Sequence, residues 1–441
     1  MTLRSFADRT AIRAIWILLR RLALSRLSLS LLLSAQLTVV VGLTTSGCST
    51  LFPGDSTSTT GPTTATGCAA ATTKHVAPGG YYVSGNSVCT AGGAAHLFHG
   101  VDRPSLEWSP SGQQLSASDF QLMAGWKANI VRIALNQDFW IAESPIANAS
   151  YPATVDAAVK WAEQAGMDVI LDLHWSDAGT LGSCKSNCQQ LMADTNSIGF
   201  WADVAGRYKN DGRVLFELYN EPHDVTWSVW KSGGKTSGGW TAAGMQQLYD
   251  AVRGAGADNL VVIGGLNYAF DLSGVPSNRI NGYNIVYATH PYGGSSDKGP
   301  SAWDSNWGFL TKTDPVLMTE FGDGQECSGA SYTPAINTYV SAVISYADQH
   351  AAGWTAWAWF NGSCSFPSLI SDWEGTPTPP GMIVKAALAG YGSPAPGGKR
   401  DAGTVDAVGA GGDAGDAGAG AHDAAPLDGG QLATSDASLG G

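Results

Sequence analysis

Two glutamates stand out for chemistry they could share. Glu221 lies in Phe216-Glu217-Leu218-Tyr219-Asn220-Glu221-Pro222, and Glu320 in Val316-Leu317-Met318-Thr319-Glu320-Phe321-Gly322. Each closes a short apolar run of the kind that forms a buried strand. Two carboxyls about 5–5.5 Å apart, one carrying a proton and one ionised, are what retaining cleavage of a glycosidic bond requires. Arg132, closing Asn129-Ile130-Val131-Arg132, would favour the charged form of a neighbouring carboxylate. Tyr292, in His290-Pro291-Tyr292, could donate a hydrogen bond to the same group. Those two partners suit Glu320 as the nucleophile. Glu221 is then left to protonate the leaving oxygen and, next, to act as base for the incoming water.

Residues so far apart along the chain need a scaffold that brings them together. Eight strand candidates run along the middle of the sequence: His96–Val101, Asn129–Ala134, Asp168–His174, Val214–Tyr219, Leu260–Gly264, Ile285–His290, Val316–Phe321 and Trp354–Phe360. Helical stretches fall between several of them, at Ala117–Lys127, Pro152–Gly166, Ser197–Lys209, Ala242–Gly254 and Pro334–His350. Within the second, Val155, Ala158, Val159 and Ala162 recur at helical spacing. Eight strands alternating with helices point to an α/β fold, the (β/α)8 TIM barrel. The rival, a doubly wound open sheet, would want a glycine-rich phosphate loop after its first strand, and none is present. Active groups of a barrel sit at the carboxyl ends of its strands. Arg132, His174, Asn220, Glu221, His290, Tyr292, Glu320 and Trp359 all end or follow such runs.

The pattern resembles glycoside hydrolase family 5, the cellulase family, over residues 94–390. The matching pieces are Asn129-Ile130-Val131-Arg132, Asp172-Leu173-His174, Asn220-Glu221-Pro222, His290-Pro291-Tyr292, Thr319-Glu320-Phe321-Gly322 and the run Trp354–Phe360. The resemblance implies a retaining mechanism with its two glutamates on the fourth and seventh strands. It implies that Asn220 binds the sugar 2-hydroxyl, that His174 and His290 line the neighbouring subsites, and that Trp359 is the platform under the reacting sugar, in preference to Trp357. One departure stands just after the first strand, where Asp102 and Arg103 occupy the place of the Gly-Val-Asn common in the family. The implied activity is endo-β-1,4-glucanase, with β-mannanase or another β-glycanase as the alternative and a silent surface carbohydrate-binding protein as the reading outside enzymes.

Glu217 and Asp172, two residues before site candidates, read as structural groups facing the barrel interior below the site. Trp108, Trp140, Trp175, Trp227 and Trp230 fall in the loops after the first four strands, where sugars would lie. The loop acids Glu107, Glu143, Asp177, Glu326 and Glu374 read as solvated charges. Gly233, Gly234, Gly238 and Gly239, near Lys231 and Lys235, predict a mobile loop.

The formal net charge of −13 argues against nucleic acid, and sixteen Trp suit a neutral polysaccharide or oligosaccharide partner. The mechanism asks for no cofactor and no metal, and a monomer is expected. Arg4, Arg9, Arg13, Arg20, Arg21 and Arg26 precede an apolar run from Leu27 to Leu43, which reads as an export signal over residues 1–47. Ser46-Gly47-Cys48 resembles a lipoprotein processing site, with Thr45 where Leu is usual, so Cys48 could carry a lipid anchor to a membrane. The expected destinations are therefore secreted or cell-surface. Residues 48–73 are a Ser/Thr-rich linker, residues 74–392 the catalytic domain, and residues 393–441, rich in Gly, Ala and Asp, a tail unable to bury a core. Beyond Cys48, six cysteines in an exported chain suggest disulfides, read here as neighbour pairs: Cys68–Cys89, Cys184–Cys188 and Cys327–Cys364. The Cys184–Cys188 spacing lacks the second pair that zinc would need.

Overall fold

The computed structural model describes residues 67–70, 75–183, 188–293, 298–322 and 334–391. The expected export signal, nearly all of the linker and the tail lie outside the described residues. Three short strands open the described chain: β1 (Tyr81–Ser84), β2 (Ser87–Thr90) and β3 (Ala95–His96). Then come β4 (His99–Arg103), α1 (Ala117–Gly125), β5 (Ile130–Asn136), α2 (Gln137–Trp140), α3 (Tyr151–Gln164), β6 (Asp168–Trp175), α4 (Asn196–Tyr208) and β7 (Val214–Glu217). They are followed by α5 (Trp227–Ser232), β8 (Gly234–Lys235), β9 (Thr241–Ala242), α6 (Met245–Gly254), β10 (Val261–Gly264) and β11 (Ile285–Thr289). The last elements are α7 (Pro300–Asn306), β12 (Val316–Met318), α8 (Pro334–Gln349), β13 (Gly353–Ala356) and α9 (Pro379–Tyr391).

Strands β4, β5, β6, β7, β10, β11, β12 and β13 pair in parallel and close on themselves, β13 returning to β4. This is the eight-stranded barrel expected from the alternation, and every one of the eight expected runs supplies a strand. Period-two alternation sorts the side chains. Val131, Ile133 and Leu135 of β5 belong to the large core between strands and helices, whereas Ile130 belongs to a smaller cluster with Ile170, Leu215, Val262, Val286, Ala288 and Leu317. That smaller cluster fills one end of the barrel. Tyr81, Val83 and Val88 of the β1–β2 hairpin, together with Phe98, pack against it. Step two residues along the strands and the inward positions become Arg132, Asp172, Glu217 and Thr319, all fully buried. An apolar floor therefore carries a charged layer directly above it.

The glycine-rich segment after α5 is a short antiparallel ribbon of β8 on β9, not the open loop its composition predicts. Gly233 and Gly234 take left-handed φ angles of 77° and 141° there, a conformation that costs glycine nothing. Glu107 and Asp177 are buried, against the solvated role expected of them. Trp140 and Trp230 are also core residues rather than rim. Glu326 lies outside the described residues. The Cys68–Cys89 disulfide is present. Cys188 and Cys364 are each disulfide-bonded, while Cys184 and Cys327 lie outside the described residues.

Closure of the barrel leaves little room between β4 and β5. A Cβ placed on Gly100 would stand 1.8 Å from the carbonyl oxygen of Ile130. We expect Gly100→Ala to lower the unfolding free energy by at least about 3 kcal/mol, since overpacking against backbone cannot relax by a rotamer change. Denaturant titration followed by circular dichroism measures it.

Candidate active site

The centre of the site is Arg132. Its guanidinium is wholly buried, which is costly unless every donor finds a partner. Nη1 donates to Oε1 of Glu320 at 2.7 Å, Nε to Oε2 of Glu217 at 2.5 Å, and Nη2 to Oδ1 of Asn220 at 2.7 Å. Nη2 also lies 2.9 Å from Oδ2 of Asp172. Asp102 stands further off, 4.0 Å from Nη1.

Glu320 follows β12 by two residues. Besides Arg132 it accepts a hydrogen bond from the Tyr292 hydroxyl, at 2.6 Å on Oε2. Burial opposes its charge, but His290, Arg132 and His174 together with the Tyr292 hydroxyl outweigh that and hold its carboxyl below the ordinary glutamate range. Glu217 is similarly placed. Burial again works against it, yet Arg132, His290 and Thr319 bring it down to about 2.

Glu221 sits four residues beyond the end of β7. Its carboxylate accepts from Nε2 of Gln189 and meets Nδ1 of His290 at 3.0 Å. The other ring nitrogen of His290 lies 2.9 Å from Thr319 Oγ1. That hydroxyl donates to Glu217, 2.6 Å away, so its oxygen must accept from His290 Nε2–H. One further proton then lies between His290 Nδ1 and Glu221. Burial lowers the proton affinity of His290, but Glu320, Glu217 and Glu221 raise it to about 10.

The oxygens of Glu221 and Glu320 and a ring nitrogen of His290 lie within 4.8 Å of one another. Such a trio has the geometry to hold a cation. Here its charge is already matched by Arg132 and by His290 itself.

His174 Nδ1 pairs with Asp172 at 2.6 Å. Burial disfavours its charge, and Asp172 and Glu107 overcome this, raising it to about 9. The Trp357 ring lies parallel to the His174 ring, 12° from coplanar with centroids 5.4 Å apart. The Trp357–Ala358 peptide bond is cis. Trp357 is therefore the aromatic surface beside the charged layer. Trp359 is not. It is fully buried, its indole N–H donates to Asp119 of α1 at 2.7 Å, and it packs on Trp126. The expectation that Trp359 is the platform needs correcting, because β13 ends at Ala356. Beyond that point strict alternation no longer fixes which face a side chain takes.

The structure thus brings together Arg132, His174, Asn220, Glu221, His290, Tyr292 and Glu320, and leaves Trp359 outside. Asn220 presents a buried Nδ2 without a hydrogen-bond partner among the described residues. Sequence reasoning missed Gln189, which follows Cys188 in a loop with no periodicity to mark it. It also missed the link through Thr319, whose signal was its place two residues above Leu317 on the same inward face. Tyr268, 41% exposed, stacks on His223 just past Glu221, in a run of three left-handed residues, Asn267, Tyr268 and Ala269.

Comparison with known proteins places this geometry in a family. The model of the cellulase family, glycosyl hydrolase family 5, matches residues 85–363. Endoglucanase N of Pectobacterium atrosepticum is 24% identical over 261 residues, 59% of this chain and 52% of that protein. Endoglucanase Z of Dickeya dadantii is 28% identical over 248 residues, 54% and 51% of the two chains. The chain thus spans about half the length of these relatives. Among solved structures, a β-glucanase from Saccharophagus degradans in complex with cellotetraose shares the fold with a TM-score of 0.60 at 24% identity, over 72% of this chain and 94% of that one. A hyperthermophilic endocellulase from Pyrococcus horikoshii superposes with a TM-score of 0.56 at 18% identity, over 70% and 98%.

The ionised Glu217 contributes stability only while it keeps its charge. Its folded value of about 2 lies below the ordinary 4.5, so that contribution is complete above 4.5 and is lost as pH falls toward 2. Glu217→Gln should cost about 3–5 kcal/mol at neutral pH, because it leaves Arg132 underpaired in the core. The gap between variant and parent should narrow between pH 4.5 and 2. Urea unfolding across that range reads both.

Proposed function

The chain belongs to the cellulases of glycosyl hydrolase family 5, and from that premise we propose that it is an exported, retaining endo-β-1,4-glucanase with Glu320 as nucleophile and Glu221 as acid and base. The observation that carries the reading is the pair itself. Two carboxylates lie within 4.8 Å of each other in an otherwise buried charged layer, the spacing of a double displacement and not the 6.5–9.5 Å or so that leaves room for a water between them.

The division of labour follows from the surroundings. Arg132 and Tyr292 fix both oxygens of Glu320 and favour its charge, so it meets the anomeric carbon as a carboxylate. Its attack forms the glycosyl–enzyme bond while the bond to the leaving oxygen breaks. The proton for that oxygen comes from the Glu221–His290 pair, which holds one between Oε1 and Nδ1. In the second step Glu221 takes a proton from water, and the hydroxyl displaces Glu320 from the sugar. Asn220 is held through its Oδ1 by Arg132, leaving Nδ2 to donate to the sugar 2-hydroxyl. Trp357, braced on His174, offers its face to the reacting ring.

The choice of β-1,4-glucan draws on the endoglucanase names of the relatives and on the cellotetraose held by the Saccharophagus protein. Export draws on the basic, then apolar, amino terminus, and a lipid anchor on Cys48.

Glu320→Gln and Glu221→Gln should each lower kcat on carboxymethylcellulose by at least about a thousandfold while cello-oligosaccharide binding persists. Retained turnover in either variant refutes the roles. NMR of the first product should show the β anomer, and an α anomer would mean inversion. Against mannan, xylan and laminarin, carboxymethylcellulose should be cut fastest. Faster mannan cleavage would move the substrate assignment, and no β-glycan cleavage at all would favour a binding protein.

The pH profile offers a separate check. Glu320 is held below the ordinary carboxylate range, so the acid limb of kcat/KM, which reports the free enzyme, should lie below pH 4.5. Tyr292→Phe removes a donor to the charged form and should shift that limb upward.

A further inference from the structure

Both carboxylate oxygens of Glu221 are engaged in this structure, one of them by a residue that has no part in the steps above. Oε1 faces Nδ1 of His290 at 3.0 Å, and Oε2 accepts from Nε2 of Gln189. We propose that Gln189 is a positioning residue for proton transfer, the donor that holds Glu221 as a carboxylate when its proton leaves. The proposal rests on the catalytic reading above and extends it to a residue outside the barrel strands.

The segment bearing Gln189 is fastened alongside the segment bearing Glu221. The hydroxyl of Tyr219, a buried side chain, donates to the backbone carbonyl of Gln190 at 2.6 Å. The backbone N–H of His223 donates to the carbonyl of Leu191 at 2.9 Å. These anchors stand two residues before and two residues after Glu221. On the other side of Gln189, Cys188 is buried and disulfide-bonded, and its carbonyl accepts from the N–H of Ser176, just past β6, at 3.2 Å. Further along, Asp194 accepts from Nε2 of Gln137 at 3.1 Å and from the N–H of Gly179 at 3.0 Å. The backbone is thus held on both sides of Gln189, and only its side chain is left to be ordered by the contact with Glu221.

Donor and acceptor roles decide what this contact does. His290 Nε2–H is committed to Thr319 Oγ1, so the proton between Nδ1 and Oε1 is the one available to the leaving oxygen. Once that proton has moved, Nδ1 is a bare acceptor and no longer donates to Oε1. Gln189 is then the donor left on the carboxylate among the described residues. A hydrogen bond to an ionised carboxylate is roughly twice as strong as one between neutral groups. The bond from Gln189 therefore tightens as the bond to the leaving oxygen breaks, and an interaction stronger in the transition state than before it accelerates the step. In the second step Glu221 takes a proton from water and loses its charge. The same bond then weakens and opposes that step.

The test separates the two steps with two substrates on the full chain. Cellotetraose needs the proton, whereas 2,4-dinitrophenyl β-cellobioside carries a leaving group that departs without one. Gln189→Met should lower kcat/KM on cellotetraose about tenfold, the scale of one hydrogen bond to a charged group, and change kcat/KM on the dinitrophenyl glycoside by less than about twofold. On that glycoside kcat reports hydrolysis of the glycosyl–enzyme, and it should stand at or above the parent's. Gln189→Glu, close to isosteric but without an N–H, should lose at least as much on cellotetraose as Gln189→Met. Equal losses on both substrates, or a lowered kcat on the dinitrophenyl glycoside, would reveal a merely structural role and overturn the assignment. A second comparison removes the partner. In the Glu221→Gln background no charge develops, so adding Gln189→Met should leave kcat/KM on cellotetraose within about twofold, and a further tenfold or so loss there would overturn the assignment as well. If Glu221→Gln keeps its turnover of cellotetraose, the catalytic reading falls and this inference with it. If Glu221→Gln loses that turnover while Gln189→Met matches the parent on both substrates, the role of Gln189 falls alone.

Discussion

One guanidinium at the centre of a barrel has to satisfy carboxylates arriving from several strands. Arg132 touches Glu217, Asp172 and Glu320 within hydrogen-bond distance, and Asn220 besides. Burying a charge of this kind is unfavourable unless its partners are fixed, and the barrel fixes them by setting Asp172 and Glu217 on the inward face of β6 and β7, Asn220 just past β7 and Glu320 just past β12. The same bonds that lower the cost of burying Arg132 set the positions of Glu320, the proposed nucleophile, and of Asn220, proposed to hold the sugar 2-hydroxyl. Stability and reactivity are coupled through one side chain.

The layer above the apolar floor does not ionise evenly. Glu217 and Glu320, each bonded at short range to Arg132 and facing His290, are held below the usual carboxylate range. Asp102, 4.0 Å from Arg132, is pushed well above it by burial and by the neighbouring Glu320. Glu107, buried beside the His174–Asp172 pair, rises to about 7. A low-dielectric interior favours charge only where a donor is in contact. The short-range geometry of Arg132 therefore selects which acids are anions, and Glu320, the proposed nucleophile, is among those selected.

Much of this was legible in the sequence because it follows periodicity. The eight apolar runs marked eight strands, and polar residues at or near the carboxyl ends of five of them marked the open face. Arg132, His174, His290 and Tyr292 could be named because a charged or polar group closing an apolar run has few places to go but inward. What escaped was set by loops. Glu107 and Asp177 sit in segments of no regular period, and only the fold reveals that these segments turn back into the protein. Gln189 reaches Glu221 from such a segment. Trp357 and Trp359 show the limit most clearly: two residues apart, they should share a face, yet the strand stops at Ala356 and the chain sends one toward His174 and the other toward Asp119.

The same distinction separates chemistry from selectivity in this molecule. Strand ends carry the groups proposed to act on one bond, and their placement is constrained by closure of the barrel and by the shared cation. Loops carry the surfaces that would meet the rest of a polymer, and they are shaped by local devices: the Asp372 turn, the ribbon of β8 on β9, the left-handed run at Tyr268. Arg103 is a second buried cation, three residues beyond the closely packed Gly100 and next to Asp102 in the chain. It serves the loops of the first and last strands as Arg132 serves the strand ends. A substitution at Arg132 would disturb the reacting centre and the core together. One at Arg103 would first release the loops around Trp373, leaving the carboxylate pair and its partners where they are.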